Sequence, residues 1–391
     1  MTVEAEPRFQ FGKNWQGYLK NHFDEGRLAI AQNCLLDFLG LPSLEGSSFI
    51  DIGSGSGIHS FGAWRAGAKR VVSFDYDPDS VAATRLLHQN AGSPSNWTIL
   101  QGSVLDESFI ASLGTFDVVY SWGVLHHTGN MDLALRNALR TMAPDALFYL
   151  ALYDDAMYVS PGPDYWLDVK RRYNRGPAMR RRLMEAHYIW ATLMGRRLSN
   201  LEQLIRSYQS YRKERGMSLY VDVKDWLGGW PMEFSDMGDT LDLCCRQNGL
   251  SLLNLSTGQA NTEYLFGRGT KVPSGKDLME TMRVPSSPDQ VPSDRPVYLY
   301  GMGILGDLLK AEIDQAGLHT VAGYVDRSRH GEIDGKRIMV AEELFATADR
   351  DAPILVASQA FGSILKALHA QGFRNVYNLH PAMVKRYRQR A

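Results

Sequence analysis

The sequence predicts an α/β protein built from two separate strand–helix alternations, and three observations predict it. Apolar runs of strand length alternate with helical segments from residue 48 to 152 and again from 297 to 379. Each alternation opens with an apolar strand that runs straight into a glycine-rich turn. A stretch with Pro273, Pro285, Pro288, Pro292 and Pro296 lies between them, and such a composition does not pack. The expected organisation is a first domain over 1–268 with a helical insert at 153–235, a linker over 269–296, and a smaller domain over 297–391.

Composition narrows the classes. At 391 residues the chain has room for two cores, and a net charge of −1 gives no overall pull toward nucleic acid or an anionic membrane. Three cysteines, Cys34, Cys244 and Cys245, do not make a disulfide framework, and the adjacent pair reads as packed side chains in a helix. No charged-then-apolar leader and no apolar run of about 18 residues is visible, so a reduced, cytoplasmic protein without a membrane partner is expected.

Residues 48–57 read Ser-Phe-Ile-Asp-Ile-Gly-Ser-Gly-Ser-Gly. Phe49, Ile50 and Ile52 end a buried strand, and Asp51, Gly53, Ser54, Gly55 and Gly57 form a turn into a helix over 58–67. Glycines at such a turn let backbone N–H groups approach a ligand, because no Cβ intervenes. The D-x-G-x-G-x-G spacing differs from the dinucleotide pattern G-x-G-x-x-G. The next strand ends in Asp75, 18 residues beyond Gly57, close to the ~20 expected of an acid that grips ribose hydroxyls. A carboxylate has two acceptor oxygens and can take a vicinal diol. Asp77 and Asp79 make the neighbourhood acidic, and Pro78-Asp79-Ser80 reads as the cap of a helix over 80–90 in preference to a metal loop.

A short strand at 97–100 leads to Gln101-Gly102-Ser103-Val104. The strand 117–120 then runs into Ser121-Trp122-Gly123-Val124-Leu125-His126-His127, at the carboxyl end of the sheet, where open α/β sheets bind ligands. Imidazole titrates near neutral pH, so His126 or His127 can act as a general base. The alternative is a packed or hydrogen-bonding loop residue, because adjacent side chains do not easily face one pocket. A helix over 131–142 and a strand over 147–152 complete five strands, and right-handed crossovers make the sheet parallel and doubly wound.

In this order of glycine turn, strand-end acid and Ser-Trp-Gly-Val-Leu-His-His loop, residues 10–268 resemble the class I S-adenosylmethionine (SAM) methyltransferases of the metal-independent, small-molecule type. The resemblance implies a Rossmann-like sheet of seven strands, closed here by a hairpin at 250–256 and 262–267 after a helix at 236–248. It implies SAM as cofactor and no metal. Asp51, Gly53, Ser54, Gly55 and Gly57 would hold its methionine part, Asp75 the ribose, and Ser103 with Val104 the adenine, while Ser121 and Trp122 complete the site. Many members carry an acid where this chain has Ser103, which leaves the Val104 N–H to meet the base. The aromatic segment 1–26 and a helix over 27–40 either pack over the cofactor, as is common in that family, or form an ordinary cap.

The insert holds nine Lys or Arg against one acid, Glu185, between 170 and 197. That reads as a wall favouring an anionic acceptor, such as a phosphorylated or nucleotide-linked sugar; a nucleic-acid patch and a solvated helix face are the alternatives. Within it, Arg215-Gly216-Met217, Asp222, Asp225-Trp226 and Gly228-Gly229-Trp230-Pro231 resemble a block that recurs in the same methyltransferases and would border the acceptor pocket.

In the smaller domain, Val297–Tyr300 leads into Gly301-Met302-Gly303-Ile304-Leu305-Gly306, a G-x-G-x-x-G. A helix over 305–316 and a strand ending in Asp326, 20 residues after Gly306, follow. This half resembles the small nucleotide-sugar-binding Rossmann domains found beside sugar-modifying enzymes. Gly301, Gly303, Gly306 and Asp326 are its ligand candidates, and a structural or dimerising role is the alternative, with Asp326 capping a turn. The expected activity is SAM-dependent methyl transfer to an oxygen or nitrogen of a sugar or glycan-linked small molecule. An RNA methyltransferase and a non-catalytic SAM- or nucleotide-binding module are the rival readings.

Overall fold

A computed structural model describes residues 9, 11, 12, 15, 19, 25–155, 158, 161–194, 219–257, 261–269, 291–317, 319–358 and 361–378. The Arg215-Gly216-Met217 part of the insert and most of the proline-rich linker lie outside them. The chain divides into two compact units, Met1–Tyr149 with Ser160–Phe234, and Leu150–Val159 with Ser235–Ala391.

The first sheet has seven strands: β1 (Ser48–Ile52), β2 (Arg70–Asp75), β3 (Trp97–Gln101), β4 (Phe116–Trp122), β5 (Met142–Tyr153), β6 (Ser251–Thr257) and β7 (Asn261–Gly267). Their spatial order is β3-β2-β1-β4-β5-β7-β6. β1 pairs in parallel with β2 on one side and β4 on the other, and β3 continues in parallel beyond β2. All five residues of β1 are buried, as a strand covered on both faces requires. β6 and β7 form the expected antiparallel hairpin.

The helices between these strands are α1 (Glu25–Leu39), α2 (Ile58–Arg65), α3 (Pro78–Asn90), α4 (Glu107–Leu113) and α5 (Met131–Arg140). Three begin on an Asp or Asn whose side chain accepts the first orphan N–H groups: Asp77 for α3, Asp106 for α4 and Asn130 for α5. The acidic cluster thus starts a helix two residues earlier than the sequence suggested, with Pro78 in its first turn. The described part of the insert holds α6 (Pro163–Arg175), α7 (Ala178–Tyr188) and α8 (Leu219–Gly228). Tyr173, Val223 and Leu227 form its own small core, with Phe9, Val169 and Trp226 packed against it.

The helix expected over 236–248 is a short α-helix, α9 (Met237–Leu241), that widens into a π-helical turn over Asp242–Gln247. Cys244 is buried there and Cys245 half-buried.

The second sheet has six strands: β8 (Val297–Tyr300), β9 (Val321–Val325), β10 (Glu332–Ile333), β11 (Lys336–Met339), β12 (Ile354–Val356) and β13 (Val376–Asn378), in the order β10-β11-β9-β8-β12-β13. All neighbours are parallel except the β10–β11 hairpin. The parallel strands follow the same 3-2-1-4-5 order as the first sheet, with α10 (Ile304–Ala316), α11 (Ala341–Thr347) and α12 (Phe361–Ala370) between them. In chain order the seven-stranded sheet ends at Gly267 and the six-stranded one begins at Val297. Among the described residues no helix is long and apolar enough to cross a membrane.

Gly306 is fixed by packing: a Cβ there would stand 2.1 Å from the Gly301 carbonyl oxygen. Gly306→Ala is expected to cost about 1–3 kcal/mol, as overpacking typically does. A urea unfolding curve checks it, and an unchanged midpoint would contradict the packing assigned to this turn.

Candidate active site

The turn after β1 lies at the carboxyl end of the first sheet, where the crossovers from β1 and its neighbour β4 leave in opposite directions, the position at which doubly wound sheets take ligands. Gly53 has φ +77°, and a Cβ on it would sit 2.3 Å from Val124 of the loop after β4. The β4 loop therefore closes directly onto the turn.

The turn's own amides point inward. Gly53 and Ser54 donate to the Phe74 carbonyl at 2.9 and 3.0 Å, and Gly57 donates to the Ser54 carbonyl at 2.7 Å. Gly55 donates to Asp75 Oδ2 at 3.0 Å, while Asp75 Oδ1 accepts from the Asp77 amide at 2.9 Å. Asp75 thus clasps the glycine turn to the end of β2. Burial is the main influence on its carboxyl and pushes it up to about 6; the hydrogen bonds from Asp77 and Gly55 oppose that rise. The carboxylate is ionised at neutral pH, and each oxygen has a second lone pair for a further donor.

Beyond Asp75, a cavity of about 450 Å³ is lined by Tyr76, Pro78, Gln101, Gly102 and Ser103. Tyr76 is 58% exposed and offers a flat apolar face there. Sequence reasoning passed over it, although its place directly after the strand-end acid was a usable signal. The Ser103 hydroxyl accepts from the Leu105 amide at 3.2 Å, and the Val104 side chain is buried.

Several expected cofactor residues turn their side chains into the protein. Asp51 is 2% exposed and accepts the Ser60 hydroxyl at 2.5 Å; Ser60 in turn accepts from Ser73 at 2.7 Å, and Ser73 from the Trp97 indole at 2.8 Å. The Ser54 hydroxyl meets that of Thr84 at 2.9 Å. Ser121 is fully buried and donates to the Ile52 carbonyl at 3.1 Å. These side chains brace the turn, whereas Trp122 is 42% exposed at the end of β4.

The two histidines separate. Their rings lie 4.4 Å apart and are tilted by 56°. His126 is fully buried, and burial, with lesser contributions from His127 and Lys170, holds its imidazole well below the usual range. It is therefore neutral and enclosed. His127 is half-buried, and its Nδ1 lies 2.8 Å from the Pro231 carbonyl oxygen. A carbonyl only accepts, so Nδ1 carries the proton, and in the neutral ring Nε2 carries the lone pair. Pro231 belongs to the Gly228-Gly229-Trp230-Pro231 block, which the sequence had placed beside the acceptor pocket.

An N-terminal strap spans these parts. Phe9 donates its amide to the Trp230 carbonyl at 2.9 Å, and the Phe11 ring lies 5.2 Å from that of His127. Gly12 donates to Asp77 Oδ2 at 2.9 Å, and the Trp15 indole nitrogen would lie 3.1 Å from a Cβ on Gly55. Among the described residues of this segment, Trp15 lies against the glycine turn.

The basic run of the insert is largely engaged. Lys170 is buried against Trp226, Arg171 lies 4.8 Å over the Trp230 ring, Arg172 pairs with Asp168, and Arg181 donates to the carbonyls of Tyr173 and Asn174. Glu185 is buried and accepts from the hydroxyls of Tyr173 and Tyr220.

The second sheet repeats the clasp. Asp326 Oδ2 accepts from the Met302 amide at 2.7 Å, and Oδ1 accepts from Ser328 and Arg329 at 2.7 and 2.9 Å. Gly301 has φ +94°, while a Cβ on Gly303 would meet open space. Arg329 donates to the Met302 carbonyl at 2.8 Å and to Asp307 at 2.6 Å.

Residues 50–148 match the family model of a methyltransferase domain. SAM is the cofactor that such a domain takes. The chain is 37% identical over 103 residues to a tRNA U34 carboxymethyltransferase of Cellvibrio japonicus, covering 26% of this chain and 31% of that protein. It is 32% identical over 124 residues to a ubiquinone biosynthesis O-methyltransferase of a Methylobacterium species, covering 31% and 47%. The matched stretch thus spans less than half of either relative. Among solved structures, it is similar to the SAH-bound magnesium protoporphyrin IX methyltransferase of Synechocystis, at 13% identity and a TM-score of 0.38, over 66% of this chain and 94% of that one.

Burial dominates at Asp51 and pushes its carboxyl up to about 7 from an ordinary 3.8. A raised folded-state pKa means that the folded protein holds this proton more tightly than the unfolded chain does. The resulting stability is present below about pH 4 and is lost as pH rises to 7. Asp51→Asn, which keeps an acceptor for Ser60, is expected to gain on the wild type between pH 4 and 8, by a few kcal/mol at most, since each pKa unit corresponds to about 1.4 kcal/mol. Thermal denaturation at the two pH values reads this directly, and a constant difference would refute it.

Proposed function

We propose that this chain transfers a methyl group from SAM to an oxygen or nitrogen of a small-molecule acceptor, with a sugar or glycan-linked metabolite as the preferred class. One observation carries the reading: the Asp75-clasped glycine turn and His127 Nε2 belong to adjoining loops at the carboxyl end of one 3-2-1-4-5-7-6 sheet.

The residues fit the cofactor. Asp75 offers a half-buried, ionised carboxylate for ribose hydroxyls, and the cavity lined by Tyr76 and Ser103 has the size and flat wall for adenine. Gly53, Gly55 and Gly57 leave room for the methionine part, while Asp51, Ser54 and Ser121 support the turn from beneath. Trp122 and the Val104 backbone complete the rim. SAM brings an electrophilic methyl on a sulfonium. The protein's own task is to exclude water, hold the acceptor in line and move one proton. The strap of Phe9, Phe11, Gly12 and Trp15 serves the first purpose. His127 Nε2 takes the proton of an acceptor hydroxyl, whereas an amine acceptor needs no strong base. The enclosed, neutral His126 is not the base in this reading.

The sugar preference draws on the second sheet, whose glycine turn and Asp326 repeat the geometry of the first. The tRNA relatives favour an RNA acceptor as the second reading. Against it stands the basic run: of the seven Lys and Arg described between 170 and 182, Lys170, Arg171, Arg172 and Arg181 are engaged in packing or pairing. A continuous cationic face would need them solvated.

The test incubates the full chain with SAM and a panel of monosaccharides, nucleotide-sugars and tRNA, and reads release of S-adenosylhomocysteine. We expect turnover with a sugar-containing small molecule. His127→Gln should lower kcat by about 10²–10⁴-fold for a hydroxyl acceptor. Turnover on tRNA alone would overturn the sugar preference, and SAM binding without transfer to any acceptor would favour a non-catalytic module.

A further inference from the structure

We propose that Lys170, with Asn174, is a positioning residue that sets the tautomer of His127 from the helical insert. The proposal rests on the reading of His127 as the base. Lys170 is 1% exposed, a rare state for a lysine. Its ammonium donates to the Trp226 carbonyl and lies 4.0 Å from the centre of the Trp226 ring. Asn174, one helical turn further along α6, is 9% exposed and donates to the Gly228 carbonyl at 2.7 Å. Trp226 and Gly228 are the last residues of α8, where backbone carbonyls lack helical partners and the helix dipole favours a cation. One face of α6 therefore caps the end of α8 with two N–H donors, the Lys170 amine and the Asn174 amide.

The chain that leaves this cap leads directly to His127. Gly229 donates to the Asp225 carbonyl at 2.8 Å, and a Cβ on Gly229 would stand 3.0 Å from His127 Cε1. Arg171, next to Lys170, lies over the Trp230 ring. Two residues after Gly229, the Pro231 carbonyl accepts from His127 Nδ1. The Glu233 amide donates to the His126 carbonyl at 2.8 Å, and the Glu233 carboxylate accepts from the Met131 amide at 2.9 Å. The turn is thus anchored at one end by α6 and laced at the other to the histidine loop. A shift of the α8 cap would move the Pro231 carbonyl off Nδ1 and release the constraint that keeps the proton there. Burial of the ammonium costs free energy unless its bonds are made. Its location at this cap, in place of an apolar side chain that would pack at less cost, is accounted for by the hold it has on the Trp226 carbonyl.

The test is nitrogen-15 NMR of histidine-labelled full-length protein, with His127 assigned from a His127→Gln spectrum, on wild type, Lys170→Met, Asn174→Leu and Lys170→Arg. Amide spectra report folding, and calorimetry with SAM reports the cofactor site. In the wild type, Nδ1 should give the protonated, pyrrole-type signal and Nε2 the pyridine-type signal. Lys170→Met and Asn174→Leu should lose that single tautomer for a mixture, while SAM affinity stays within about twofold. Lys170→Arg, which keeps the cationic donor, should retain it. A folded Lys170→Met or Asn174→Leu with the Nδ1–H tautomer intact would overturn the proposal. If Lys170→Met does not fold, Asn174→Leu decides alone. A folded wild type that binds no SAM would sink the functional reading yet leave the tautomer comparison standing.

Discussion

Asp75 is the residue on which the rest of the first domain's site depends. Its two oxygens take one amide from the glycine turn and one from the segment that starts α3, so β1, β2 and the next helix meet at a single carboxylate. The clasp also explains why the turn must be glycine-rich. Its amides are used inward, on Phe74, Ser54 and Asp75, which drives the backbone through positive φ at Gly53, Gly55 and Gly57. A ligand is therefore met by the shape of the turn and by the remaining lone pairs of Asp75, and less by free N–H groups than the sequence suggested. Asp326 repeats the arrangement in the second sheet, with the Met302 and Ser328 amides in place of those from Gly55 and Asp77. Two sheets with the same strand order have the same solution for joining strand one to strand two.

The chemistry of the second half of the site comes from distant sequence. His127 is on the β4 loop, yet the atom that orders its ring, the Pro231 carbonyl oxygen, is 104 residues away. The insert thus reaches the β4 loop and holds the His127 ring. Its buried Lys170 and Glu185 show how it holds shape: each charge is satisfied locally, by a helix-end carbonyl and an indole face for the first and by two tyrosine hydroxyls for the second. A charge so satisfied is tolerated in a small core, where an unpaired one would not be.

Much of this was legible in the chain, for physical reasons that the particular residues make plain. Strand runs such as Val71–Phe74 and Val297–Tyr300, with glycines and an acid at fixed distances, specify a doubly wound sheet because backbone sterics and crossover handedness leave few alternatives. Burial was less legible. Nothing in the string His126-His127 says which ring is enclosed, since that depends on Pro231, Phe11 and Lys170 approaching from elsewhere. The basic run looked like a cationic face because charge alone was visible, whereas Lys170, Arg171 and Arg181 spend their donors on helix ends and aromatic rings. The π-helical turn over Asp242–Gln247 left no mark on the pattern, because apolar spacing at 3.6 and at a locally wider winding differ too little over six residues.

The central claim is that Asp75 and the glycine turn it clasps form a SAM site. Calorimetric titration of the full chain with SAM, for the wild type and for Asp75→Ala, tests it most directly. The account predicts saturable binding by the wild type and a loss of about 100-fold or more in the variant, since a carboxylate that grips a diol makes charge-assisted hydrogen bonds worth about 1.5–3 kcal/mol each. No binding by the folded wild type, or equal binding by Asp75→Ala, would contradict it.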